Sequence, residues 1–125
     1  MRIFKNTWFT RFAGKEGITD GELREAVNQL ETGHRRQRVG GADLGGGVYK
    51  IRLARPGEGK SGGYRVIVFF RSEERTFYEY GFAKSNRANI SRKELKMLKE
   101  TAKKYFSMTP DQIREWIEQG KFVEL

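Results

Sequence analysis

The sequence predicts one α+β domain on a small, mostly antiparallel β-sheet, with two N-terminal helices and a two-helix C-terminal extension. Three observations carry that reading. The chain has 125 residues, 37% hydrophobic and 33% charged, enough for one core and too few for two. Apolar residues recur at helical spacing near both ends, but at strand spacing in the middle. Finally, three strand-like runs follow one another without an intervening helix, which favours antiparallel pairing. The expected organisation is a single unit over residues 1–125: a core of helices and sheet over 1–83, and a helical extension over 84–125.

Residues 2–5 read as an opening strand. Asn6 or Thr7 then starts a short helix carrying Trp8, Phe9 and Phe12, ending near Gly14. Thr19 with Glu22 three residues later is a capping box. It opens a helix whose Leu23, Ala26, Val27 and Leu30 form one stripe and which stops at Gly33, followed by His34 where the helix dipole favours a cation. These two helices are expected to pair and cover the sheet. Strands follow over residues 48–55, 64–71 and 75–82, rich in Val, Ile, Tyr and Phe. Ser72, Glu73 and Glu74 join the last two tightly, and a Gly-rich loop over residues 56–63 joins the first two. Ser91 with Glu94 caps a helix through Leu95, Leu98, Ala102 and Tyr105. Thr109, Pro110 and Gln112 start a last helix that ends at Gly120.

Composition narrows function. Lys and Arg number 25 against 16 Asp and Glu, so the net charge is +9 and the expected partner is a polyanion. The excess sits in two blocks: residues 34–65 and 84–104 each hold eight basic and two acidic residues. Solvated surfaces would produce the same count, and charge alone does not name the polyanion. With no cysteine there is neither a disulfide scaffold nor a thiolate site, and the single histidine has no second one to share a metal. No metal and no cofactor are therefore expected. The longest apolar run, residues 66–70, is far short of the roughly 20 residues that span a bilayer, and Arg2, Lys5 and Arg11 interrupt any signal-like start. A cytoplasmic protein without membrane association is expected.

Gly59-Lys60-Ser61 looks like the end of a phosphate-binding Walker loop. That motif needs glycine where Ala54 stands and a helix where Gly62 and Gly63 lead into a strand, so the reading is rejected. More informative is the stretch from Tyr49 to Leu53. In a strand, Tyr49, Ile51 and Leu53 face one way and Lys50 and Arg52 the other. The dibasic face is expected to point outward, with Arg65 on the neighbouring strand joining it if Arg52 lies opposite Ile67. An ordinary amphipathic strand is the competing explanation.

At these residues the chain resembles the RelE/ParE superfamily of bacterial toxin–antitoxin toxins. The resemblance rests on YKIRL, then SGGYRV, then a strand ending YGFAK. Within it, GKSGGYRV, GFAKSNRANI and the long helical tail look like the HigB-like, phage-associated branch. The resemblance implies a messenger RNA interferase acting on the ribosome, a hydrolase-class endoribonuclease with a cognate antitoxin, a small helix-turn-helix protein. It implies catalytic roles for Lys50, Arg52, Arg65 and Lys84, with Arg87 the nearest alternative to Lys84. The tyrosine that the family places on the following helix has no counterpart here at that spacing. ParE-like relatives share the fold but attack gyrase, and an inactive or purely binding relative would carry the same face.

Such a nuclease uses the 2′-hydroxyl to attack the adjacent phosphate. It needs a base, cations against the phosphorane, and an acid for the leaving 5′-oxygen. Lys50 is the candidate base, because two nearby guanidiniums disfavour its protonated form. Arg52 and Arg65 would hold the phosphate, and Lys84 would act as acid or as a further charge. Lys60, Arg87, Arg92, Lys93 and Lys96 are expected to contact RNA, the second basic block meeting ribosomal RNA. Tyr64, Tyr80 and Phe82 are candidates for stacking a base, or else core.

Overall fold

A computed structural model describes residues 1–35, 42–55, 59–87 and 89–125. In chain order the elements are β1 (Arg2–Asn6), α1 (Thr7–Glu16), α2 (Asp20–Arg35), β2 (Ala42–Asp43), β3 (Val48–Arg55), β4 (Gly59–Arg71), β5 (Arg75–Ala83), α3 (Arg92–Phe106), α4 (Pro110–Glu118) and β6 (Phe122–Glu124). The six strands form one sheet in the order β2-β3-β4-β5-β1-β6. All neighbours are antiparallel except β1 and β5, which run parallel. The expected α+β class is what the chain adopts. Among the described residues, no helix is long and apolar enough to cross a membrane.

Helix starts follow their capping chemistry. The Asn6 side chain accepts from the Phe9 amide at 2.7 Å, and Thr19 and Glu22 exchange the two bonds of a capping box. Ser91 with Glu94, and Thr109 with Gln112, do the same for α3 and α4. Three boundaries differ from expectation. Helix α1 runs past Gly14 and is closed by Gly17, whose φ of 71° puts it in the left-handed region. Helix α2 passes through Gly33 to Arg35, since one glycine costs a helix only about 1 kcal/mol. Strand β4 begins at Gly59, paired with Arg55, so most of the expected Gly-rich loop is strand and residues 56–58 lie outside the described residues. The ladder with β3 extends into the glycines despite their poor strand preference. Strands β2 and β6, of two and three residues, were not expected; neither is long enough to show an alternating pattern.

Each face of the sheet has its own core. On one, Phe9, Ala13, Leu23, Val27 and Leu30 of α1 and α2 pack on Tyr49, Ile51, Leu53, Tyr64, Val66, Val68, Phe70 and Tyr78. The buried Tyr78 hydroxyl donates to the Leu23 carbonyl at 2.6 Å, tying α2 to β5. Gly81 is required here, because a Cβ would stand 2.6 Å from the Phe12 ring. On the other face, Ala102, Tyr105, Met108 and Ile113 cover Phe4, Val48, Ile67, Phe69, Phe77 and Phe122. The C-terminal helices therefore close half of the molecule's interior.

Candidate active site

Alternation along β3 and β4 decides what shares a face. Because Tyr49, Ile51, Tyr64 and Val66 go to the α1/α2 core, Lys50, Arg52, Arg65 and Ile67 go to the other side. Arg52 lies directly opposite Arg65, and Lys50 opposite Ile67. The register is two residues from the one supposed, but a shift of two preserves the face, and the three cations meet on it. That face is not a free outer surface, as expected for the dibasic strand, but the continuation of the α3/α4 core: Val48 and Phe69 of the same face lie buried beneath helix α3 and its neighbours. Beyond them the sheet opens, with Lys50 half-buried and Arg52 exposed.

The next strand continues both rows. Phe82 of β5 pairs with Arg65, and Tyr80 pairs with Ile67, giving one row of Arg52, Arg65 and Phe82 and a second of Lys50, Ile67 and Tyr80. Arg65 has 5% of its surface exposed, covered by neighbours but lying close to the molecular surface. Its guanidinium donates to the Tyr64 carbonyl at 3.4 Å. Desolvation, and then the charge of Arg52, lower its pKa from the usual arginine value. Like charges directly opposed across a ladder repel. An anion between them would turn that repulsion into attraction.

The segment after β5 borders the site. Lys50 Nζ donates to Asn89 Oδ1 at 3.0 Å. The Arg87 guanidinium lies over the Phe82 ring, 5.1 Å from its centroid, and donates to the Tyr80 hydroxyl at 3.5 Å. It also makes a two-pronged ion pair with Glu94, at 2.7 and 3.1 Å. That pair, and the Ser91 amide, pull the Glu94 carboxyl down to about 2. One carboxylate thus caps α3 and fixes Arg87 beside the cations.

A family model described as the RelE toxin of the RelE/RelB toxin–antitoxin system matches residues 1–125. The chain belongs to the RelE toxin family. Membership makes it a toxin of a toxin–antitoxin pair, which implies an antitoxin partner.

The remaining expected site residues of this RelE toxin divide by position. Lys84 is exposed just beyond β5, its amide bonded to the Gly63 carbonyl at 3.0 Å. Tyr80 is half-buried on the cationic face. Tyr64 does not reach that face. It is 2% exposed on the α1/α2 side, edge-on to Phe12, because its place in the alternation is one off from Arg65. Arg92, Lys93 and Lys96 stand exposed on the first turns of α3. The Lys60 side chain, like that of His34, lies outside the described residues. Sequence reasoning did not single out Asn89 or the second role of Glu94. The Ser91–Glu94 spacing was visible, but it signals only a cap; the reach of Arg87 to the same carboxylate depends on the turn between them.

Proposed function

We propose that this RelE toxin is a ribosome-dependent messenger RNA interferase that cleaves RNA by 2′-hydroxyl attack. The observation that carries the reading is the row of Arg52 opposite Arg65 with Lys50 one row away on the same face. Arg52 and Arg65 hold the non-bridging oxygens of the scissile phosphate, a task suited to planar guanidinium groups. Lys50, oriented by Asn89, takes the proton of the 2′-hydroxyl as that oxygen bonds to phosphorus. The bond from phosphorus to the 5′-oxygen breaks, leaving a 2′,3′-cyclic phosphate, and Lys84 supplies the proton to the leaving oxygen. Arg87 remains a charge beside the reacting centre.

The exposed Lys and Arg residues of α3 supply the ribosomal RNA contact, and the phosphates they neutralise make that binding salt-dependent. The sequence motifs GKSGGYRV and GFAKSNRANI favour the HigB-like branch, and with it a small helix-turn-helix antitoxin and action in the cytoplasm.

Substituting Arg65→Ala tests the assignment in a translating extract with mapped messenger ends. Cutting is expected to fall by about a thousandfold, on the scale of losing an electrostatic stabiliser, with an unchanged circular dichroism spectrum. Full cutting by the variant would remove the site. DNA breaks without messenger loss in the wild type would replace the nuclease by a gyrase poison. Binding without either would leave a docking module.

A further inference from the structure

Trp8 is the one large aromatic among the exposed hydrophobic residues of the described chain, with 43% of its surface open. Its neighbours Phe9 and Ala13 on α1 turn into the core. Trp8 instead lies where the pairing of β1 with β5 has ended at Tyr78, leaving the second half of β5 paired with β4 alone among the described residues. There it stacks on Phe12 at 5.2 Å and 15°, and meets Tyr80 at 4.5 Å between ring centroids. Tyr80 in turn meets Phe82, at 6.1 Å. The aromatic row therefore begins in the cationic site and ends at an exposed indole.

The indole is also held in place. Asn6 caps α1 and donates to the Glu79 carbonyl at 3.0 Å, fixing the first turn of the helix against β5. The Phe12 ring seated over Gly81 fixes the next turn. An exposed aromatic with its orientation set in advance loses little freedom on stacking with a flat ligand. Adjacent strands are about 4.8 Å apart, so the step from the Arg52–Arg65 pair across β5 to Trp8 is roughly two strand spacings. That is a span of one to two nucleotides of an extended strand.

Resting on the nuclease reading, we propose that Trp8, backed by Tyr80, stacks a base flanking the scissile phosphate and so contributes to which messenger positions are cut. Every base offers a π-face, and purines offer the larger one, so the platform would grade substrates by stacking rather than by hydrogen-bond pattern. The cations place the phosphate. The indole places the base.

The test uses the full chain on translating ribosomes, with messages that differ at single positions around one cut site and with messenger ends mapped. Trp8→Ala is expected to lower cutting about tenfold and to flatten a purine-over-pyrimidine preference at one flanking position. Trp8→Phe is expected to keep most of both, and matched melting curves report that the fold is intact. A Trp8→Ala variant that cuts at the wild-type rate, or with the wild-type preference, overturns the proposal. So does one whose only defect is weaker capture of a co-expressed antitoxin. Failure of the nuclease reading looks different: Arg65→Ala and wild type would then behave alike, and neither would cut.

Discussion

The α3/α4 side of the sheet is two regions on one set of strands. At one end Val48, Phe69 and Phe77 lie under Tyr105 and Ile113. At the other, one alternation step along the same strands, the side chains are Lys50, Arg52 and Arg65. Between β3 and β4 the register is continuous across the boundary, while between β4 and β5 a β-bulge falls on it; the side chains and the covering helix change there too. Burial at the first end holds the helices down, whereas at the second like charges face each other across the ladder, with Arg65 covered, Lys50 half-buried and Arg52 exposed. Stability and chemistry are thus divided along the strands, with helix α3 marking where one gives way to the other.

The division is broken most sharply at Phe77. The ring is 1% exposed and meets Phe4, Tyr105, Phe106 and Phe122 at centroid distances of 5.2 to 5.9 Å. Phe77→Ala should cost about 3–5 kcal/mol in urea unfolding, the usual range for emptying a core of a large ring. Cutting per folded molecule should survive. Arg65→Ala should show the reverse, intact stability with cutting lost. If the Phe77 variant lost cutting in proportion to nothing but its folded fraction, the two ends would be separable; equal damage from both variants would mean that they are not.

Glu79 is an intermediate case, a charge inside the closed end. It sits at the β-bulge between the Ile67–Tyr80 and Val68–Tyr78 pairs. Burial, offset in part by the neighbouring Asn6 and Tyr105 side chains, pushes its carboxyl up to about 7, and among the described residues Oε2 has no hydrogen-bond partner. The folded protein therefore keeps a proton, between about pH 4.5 and 7, that the unfolded chain has released. Stability from this group is greatest below that window and falls as pH rises through it. Glu79→Gln should remove this part of the slope and be about 2–3 kcal/mol more stable than wild type at pH 8, with the difference vanishing near pH 4. Parallel stability–pH curves for the two proteins would show that the carboxyl is not confined.

Much of this arrangement was legible in the sequence because it depends on parity and caps. Lys50, Arg52 and Arg65 share a face in any register that places Tyr49 and Tyr64 inward, and the Ser and Thr caps start α3 and α4 where they stand. Of the two roles open to Tyr64, base stacking or core, the structure has the core one for the same reason, since neighbouring residues in a strand cannot share a face. What parity could not show was that the cationic face is half covered, because the docking of α3 depends on Tyr105 and Ile113 meeting Phe77 and Phe122 far away in sequence. Nor could it place Trp8, which reads as one more core aromatic until β1 is seen to end beside β5. The extension of β4 through residues 59–63 was hidden by glycine, whose strand geometry comes from its partner.

The smallest effect is expected at the border itself. The Ser91 side chain accepts from the Glu94 amide at 3.1 Å, while the Glu94 carboxylate accepts from the Ser91 amide and from Arg87. Ser91→Ala removes one capping bond and leaves the Arg87 pair, so about 1 kcal/mol of stability should go while cutting changes little. Glu94→Ala removes the other capping bond and frees Arg87 from its fixed place over Phe82, so cutting should change by more than stability does. The comparison of the two variants, by urea melts and mapped messenger ends, separates what the cap does for the closed end from what it does for the open one. If Ser91→Ala lowered cutting as far as Glu94→Ala, positioning of Arg87 would depend on the helix terminus as a whole, and the border would belong to the site rather than to the core.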